Sequence, residues 1–513
     1  MRIALLPIDE RPVNTRLAVD VAAIAGAQVE VPPADLLPKM RVPGKTDLLG
    51  SWLLDTAAHP ATDAALVSID MLVHGGLIAA RTTPDLTTPT LARLDILRQL
   101  RATRPSLPMS AVSLVTRASD SYSAEEEPAY WEHYGRELHR YGAALHREFE
   151  AAQSDSPLRS SQQEIDQLNG LIPAAIRTDF QTRRLRNHIV NLECLRLLAD
   201  GVIDPLLITA DDTATHSAGS LEQTWLQHWS RAIQPAGDLL MYPGADEVDA
   251  VLTARAITDL RQQQVSCTVE CYTPDGLHRV AKYENQPVGV SASRQIAAAG
   301  SHLAVGGKPD VRLVVHPPDP NGGDWFGAPP IGDPEAVAGT VALVKKSIDS
   351  EAAVALADVR YGNGSDPLLV QALQAEGLLG SLTSYAGWNT AGNSIGTTVA
   401  MAVCTVVGQH TGTYDGIAAR RLLLHRLLED HYYQSLIRTQ LAASNDGNRP
   451  GHLTPETQSA YLAEVTDALN LALQTLAPGE EWELRDVALP WGRTFEVDFR
   501  LALTVRDRRV DSP

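Results

Sequence analysis

Two adjacent carboxylates at the end of an apolar run offer the first chemistry in this sequence. Leu206-Leu207-Ile208-Thr209-Ala210 leads straight into Asp211-Asp212. Two carboxyl groups enclosed in one pocket repel, so one keeps its proton near neutral pH and the other stays ionised. That division supplies a proton donor and a group that stabilises positive charge, as glycoside hydrolysis requires. The competing reading is structural: one Asp caps a helix starting near Thr213 and the other faces solvent. A second pair, Asp246-Glu247, follows Leu239-Leu240-Met241-Tyr242 through Pro243-Gly244-Ala245. It is a further catalytic candidate, although Asp246 also stands where an N-cap belongs and Glu247 in a first turn.

Other strand ends carry candidate binding residues. Leu5-Leu6-Pro7-Ile8 runs into Asp9-Glu10-Arg11, where the arginine keeps its acidic neighbours ionised and suited to hydroxyls or cations. Leu66-Val67-Ser68-Ile69 runs into Asp70, with His74 and Arg81 beyond. Asp358 and Asn363 lie in another such exit. In Gly387-Trp388-Asn389-Thr390-Ala391-Gly392-Asn393, an exposed Trp388 would stack on a sugar ring while Asn389 reads hydroxyls. Alternatively, Trp388 belongs to the core beside a tight turn. Asp70, His74 and His316 define a different possibility, a metal-dependent hydrolase, but no HxH or HxxxE spacing supports it and fifteen histidines are scattered along the chain. No cofactor is expected, because neither GxGxxG nor GxxxxGK[ST] falls at a strand–helix junction. Cys194, Cys267, Cys271 and Cys404 read as core thiols.

Strands and helices alternate before and after a strand-poor interval. The pattern predicts an α/β fold with parallel strands: a (β/α)8-type barrel with a helical insertion and a helical C-terminal extension, or else two doubly wound parallel-sheet lobes. The intervals are 1–122 for the first βα units, 123–200 for a helical insertion or lid, 201–400 for the remaining βα units, and 401–513 for the helical extension with terminal strands. Ligands of either architecture bind at the carboxyl ends of the strands, so the acids are expected at one mouth.

The 513 residues are 44% hydrophobic and 20% charged, with a net charge of -19. That excess of acid argues against nucleic acid and anionic membranes as partners. No secretory signal is expected, since Asp9-Glu10-Arg11 interrupts the first apolar run, and the chain reads as cytoplasmic.

At Leu6-Pro7-Ile8-Asp9-Glu10-Arg11-Pro12-Val13-Asn14, Asp70 to Ile78, Pro243 to Glu247 and Gly387 to Asn393, the chain resembles a bacterial family catalogued as domain of unknown function 4127, over nearly its whole length. That resemblance brings no chemistry with it. Locally, Leu195 to Val202 followed by Ile208-Thr209-Ala210-Asp211-Asp212 is similar to the catalytic strand of barrel hexosaminidases, whose substrate's own acetamide is the nucleophile. The resemblance implies that Asp211 orients the acetamide and Asp212 is the general acid. The expectation is therefore a glycosidase-like hydrolase acting on a small, neutral or N-acetylated carbohydrate, the alternatives being the metal-dependent hydrolase and a non-catalytic sugar-binding or regulatory protein.

Overall fold

Eleven parallel strands fall into two open sheets. A computed structural model describes residues 1–154, 159–326, 329–444 and 453–503. The first sheet contains β1 (Arg2–Leu6), β2 (Gln28–Glu30), β3 (Ala64–Ser68), β4 (Met109–Val115), β5 (Leu206–Ala210) and β6 (Leu239–Pro243), in the order β2-β1-β3-β4-β5-β6. The second contains β7 (Ser266–Glu270), β8 (His302–Leu303), β9 (Val311–His316), β10 (Ala353–Asp358) and β11 (Ser384–Ala386), in the order β8-β7-β9-β10-β11. Read from its own first strand, the second sheet repeats the 2-1-3-4-5 permutation of the first. This is the doubly wound order whose ligand crevice opens where strand order reverses.

The barrel expectation is thus corrected, and the two-lobe alternative describes the architecture. The first sheet ends at β2 and β6 and the second at β8 and β11, and these outer strands do not pair, so no ring closes. Apolar runs that end in acid look the same in both architectures. Only the pairing partners of β1 and β7 distinguish them, and strand sequences do not encode these directly.

Burial follows the parallel-sheet rule. Every residue of β3, β4 and β5 is buried, because helices cover both faces. Alternate residues of β1 serve different cores. Ile3 and Leu5 join the cluster containing the helices Pro12–Ile24 and Val248–Leu260, whereas Ala4 and Leu6 pack with Leu49, Leu53, Leu97 and Leu100. The first of these clusters continues into β9 and β10 through the helix Ala391–Thr411, so one core joins the two lobes. By length and composition that helix could cross a membrane, yet its apolar stretch is entirely buried between the sheets.

In the interval 123–200 the described residues form the helices Trp131–Gln153, Arg159–Leu171 and Ala174–Ala199. The last packs on β4 and β5 and is the crossover between them. Near the C-terminus a separate core gathers Tyr433, Val465, Leu469, Leu473, Phe499 and Leu501. There the antiparallel pair β12 (Trp482–Ala488) and β13 (Asp498–Leu503) forms as the sequence predicts. The connecting segment 489–497 reaches back to the strand ends.

The lobes approach tightly at Gly392, where a Cβ would lie 2.5 Å from the backbone carbonyl of Pro243. Gly392→Ala should therefore destabilise the fold by about 1–3 kcal/mol, as overpacking does, despite alanine's better helix propensity. A urea midpoint equal to or above that of the wild type would contradict this packing.

Candidate functional site

The carboxyl ends of both sheets face one cavity of about 340 Å³. From the first lobe come Arg11 after β1, Leu77 and Arg81 after β3, Arg117, Ser121 and Glu126 after β4, Asp211 and Asp212 after β5, and Asp246 after β6. The second lobe adds Tyr283, Phe326, Asn363 and Asn389, and the 489–497 strap adds Arg493 and Phe495.

Arg11 stands at the junction of these parts. Its Nε and Nη2 donate to Asp9 Oδ2 at 2.9 and 2.7 Å, and its Nη2 and Nη1 donate to Asp246 at 2.5 and 3.2 Å. Glu496 of the strap lies 3.6 Å away, and Trp491 places its ring 4.6 Å from the guanidinium carbon. Burial alone would lower this arginine's pKa; Asp246, Asp9 and Glu496 overcome that and raise it well above its ordinary value. Asn389 of the second lobe donates to Asp246 at 3.2 Å, so Asp246 is tied to both lobes.

A second network surrounds Asp211 and Asp212. Arg117 donates to Asp212 at 2.8 Å, to Glu126 at 2.9 Å and to Glu127 at 3.2 Å. Arg81 donates to Glu127 at 2.9 Å and to Glu126 at 3.2 Å, and lies 3.8 Å from Asp211. Asp211 Oδ2 is buried and has no hydrogen-bond partner. Burial raises the pKa of Asp211 and Asp212, with Arg81 and Arg117 opposing it. Asp212 accepts from Arg117 whereas Asp211 Oδ2 accepts from nothing, which makes Asp211 the better placed of the two to hold a proton.

The capping readings of these acids are not realised. The helix Ala218–Ile233 is capped by Ser217, and the helix Val248–Leu260 begins after Glu247 with no side-chain cap. Asp212 adopts a left-handed backbone (φ 26°), as do Asn363 (60°) and Asn389 (48°). Non-glycine residues in this conformation concentrate at functional sites.

Of the expected site residues, Asp211, Asp212, Asp246, Arg11, Arg81, Asn363 and Asn389 line the cavity. Others support it from behind. Asp9 holds Arg11 and Asn14, and Glu10 accepts from the Met40 amide and the Trp491 indole, both at 2.6 Å. Asp70 accepts from the Leu114 amide at 2.9 Å, and burial raises its pKa to about 7. Asp358 accepts from the Asp366 amide at 2.7 Å beneath the second lobe, its pKa raised by burial to about 6.

Two expectations are corrected. Trp388 is 4% exposed, its indole donating to Thr397 at 3.3 Å, so it cannot stack on a ligand. It precedes the helix that fills the space between the lobes, which draws the ring into the core. Glu247 is fully buried against Gln295 (3.2 Å) and does not reach the cavity. The metal set does not assemble either. His316 lies between Thr340 (2.7 Å) and Asp366 (3.2 Å) in the second lobe, while His74 is buried in the first. Among the described residues no group of three or more His, Cys, Asp or Glu is placed to hold a metal ion.

Arg117, Glu126, Tyr283, Phe326, Arg493 and Phe495 were not anticipated. Arg117 follows β4 and obeys the same strand-end rule as the acids, which extends to any polar residue at that position. Arg493 and Phe495 arrive from more than a hundred residues beyond the last parallel strand. The turn at Trp491-Gly492, both with positive φ, is their only local signal.

A search of curated proteins returned no match. The family described as "Protein of unknown function (DUF4127)" matches residues 3–500.

Burial raises the Glu247 pKa from 4.5 to about 8, with Asp246 and Glu284 adding to the shift. Between those values the folded state binds more protons than the unfolded one, so Glu247 favours folding below pH 4.5 and that contribution is lost as pH rises through 8. Glu247→Gln, neutral throughout, should flatten the fall of unfolding free energy between pH 5 and 8 by roughly 1 kcal/mol per pH unit. Parallel wild-type and variant profiles in urea titrations would contradict this.

Proposed function

We propose, for a chain that belongs to the DUF4127 family of proteins of unknown function, a glycoside hydrolase-like activity on a small sugar through carboxylate acid/base chemistry. The carrying observation is Asp211: a pocket-lining carboxyl whose buried Oδ2 accepts no hydrogen bond, beside an Asp212 that accepts one from Arg117. Asp211 gives its proton to the departing glycosidic oxygen as the bond to the anomeric carbon breaks, and a water molecule bonds to that carbon and loses a proton to a carboxylate of the cavity. Asp212 and Asp246 face the same space and stabilise the positive charge that grows on the sugar ring. This assignment exchanges the roles implied by the hexosaminidase resemblance, because a carboxylate engaged by a guanidinium releases its charge reluctantly.

The cavity volume suits a ligand of one or two sugar rings. Tyr283, Phe326 and Phe495 supply the aromatic surface, with Phe326 and Phe495 stacked at 5.3 Å. Asn363 and Asn389 supply amides for hydroxyls. The amide of Asn363 donates to the Asn389 carbonyl at 2.8 Å and its side chain to Asp324 at 2.9 Å, which fixes that wall.

One observation favours a second reading, a non-catalytic sugar-binding protein. Two lobes of the same strand order with a pocket between them are the arrangement of hinge-closing binding proteins. Such a protein would show ligand-induced thermal stabilisation without turnover.

A panel of nitrophenyl glycosides of neutral, amino and acidic sugars separates the two. Hydrolysis should appear on at least one member, with kcat lowered about 100- to 10,000-fold in Asp211→Asn and the native circular dichroism retained. In the wild type, activity should fall as pH rises and Asp211 loses its proton. Absence of turnover across the panel, or full activity in Asp211→Asn, would sink the hydrolase reading.

A further inference from the structure

One carboxylate of the cavity wall is held by three arginines. Glu126 Oε2 accepts from Arg117 Nη2 at 2.9 Å and Arg81 Nη2 at 3.2 Å, and its Oε1 accepts from Arg493 Nη1. The three guanidiniums come from separate places: the short helix after β3, the exit of β4 and the C-terminal strap. Glu126 itself lies in an irregular segment between β4 and the helix Trp131–Gln153, with its side chain 12% exposed. All four residues line the cavity. Arg81 and Arg493 each keep a buried Nε without a hydrogen-bond partner, although both side chains are almost wholly enclosed. Burial would push the Glu126 pKa up, but Arg117, Arg493 and Arg81 together hold it well below the usual carboxylate range.

Glu126 is a carboxylate that all three arginines share. Apart from Glu126, the three arginines contact Glu127, Asp211, Asp212 and Glu496. Glu496 is shared with Arg11, and Glu127 is divided between Arg81 and Arg117. If Glu126 swings out on its loop, the three desolvated guanidiniums lose the carboxylate they share, and the donors that held it turn to the cavity. Leaving a buried charge uncompensated is strongly unfavourable. A neutral ligand does not relieve this cost, whereas a carboxylate or phosphate does, and the planar forks of arginine match either in bidentate fashion.

We propose that Arg81, Arg117 and Arg493 are the seat for an acidic group, carboxylate or phosphate, on the ligand of this cavity, and that Glu126 is its internal substitute, displaced when the acidic ligand enters. The inference rests on the proposed function only in taking a sugar as the ligand, and it narrows the substrate to an acidic sugar, a uronic acid or a sugar phosphate. The acid end would lie at the arginine wall of the first lobe, with the hydroxyls turned toward Asn363 and Asn389.

Isothermal titration of the full chain with glucuronate, glucose 6-phosphate and glucose tests this. At least one acidic probe should bind about tenfold or more tightly than glucose, the tighter acid identifying carboxylate or phosphate as the natural group. Glu126→Gln, which removes the competing charge, should strengthen acid binding several-fold. Arg493→Gln should weaken it about tenfold or more, and Arg493→Lys, which keeps the charge but not the fork, should recover part of the loss. Equal binding of glucose and both acids, no binding of either acid to wild type or Glu126→Gln, or an acid affinity unchanged or weakened by Glu126→Gln would overturn the proposal. Acid binding without turnover of any glycoside would remove the hydrolase reading alone. Turnover of neutral glycosides with no preference for acids would remove this one alone.

Discussion

The buried guanidinium of Arg11 is the constraint on which the site depends. It is 4% exposed and must be neutralised on every side, and its partners come from three parts of the chain. Asp9 lies two residues before it, Asp246 follows the last strand of the same sheet, and Glu496 and Trp491 belong to the C-terminal strap. A charge so deep in the protein is tolerated only when these partners hold their places. Satisfying Arg11 therefore fixes the exit of β1, the turn before the helix Val248–Leu260, and the strap that closes the cavity. Asn389 then ties Asp246 to the second lobe, so the same network sets the spacing between lobes.

The outer network around Glu126 is built from the same materials but differs in kind. Arg11 is surrounded by residues on regular elements or immediately beside them. Glu126 sits on an irregular loop and grips arginines from three segments. The inner network is thus suited to holding the scaffold, and the outer one to exchanging a protein carboxylate for a ligand's. Asp211 and Asp212 lie beside this exchangeable side, in contact with Arg81 and Arg117. Binding and the proposed proton transfer would then share the same guanidiniums, and displacement of Glu126 would change the field felt by Asp211 and Asp212.

Much of this was legible in the sequence because parallel strands announce themselves. Apolar runs such as Leu206 to Ala210 are buried on both faces, and the residues just after them must lie at the carboxyl end of the sheet. Asp211, Asp212, Asp246, Arg11 and Asn389 were found in this way. The closed barrel was expected because strand runs do not state their neighbours, and a repeated 2-1-3-4-5 order leaves no trace in their composition. Depth was equally hidden. Asp9, Asp70 and Asp358 end strands as Asp211 does, yet their carboxylates turn back to backbone amides and Arg11 instead of into the cavity. Trp388 was misplaced because an aromatic residue among small polar neighbours reads equally well as a platform or a plug, and only the packing of Ala391–Thr411 decides. The strap escaped altogether, since Arg493 and Phe495 reach the cavity by chain return and not by any periodicity.

Arg11 and Asp246 act as one unit that assembles the cavity from both lobes and the strap. A double-mutant cycle on unfolding free energy, using Arg11→Gln, Asp246→Asn and the double variant, measures that unit directly. A coupling of about 2 kcal/mol or more is expected, because removing Arg11 leaves Asp246 buried without its guanidinium, and removing Asp246 takes from Arg11 one of the carboxylates that offset its burial. Additivity within about 0.5 kcal/mol would show the two residues to be independent and would contradict it.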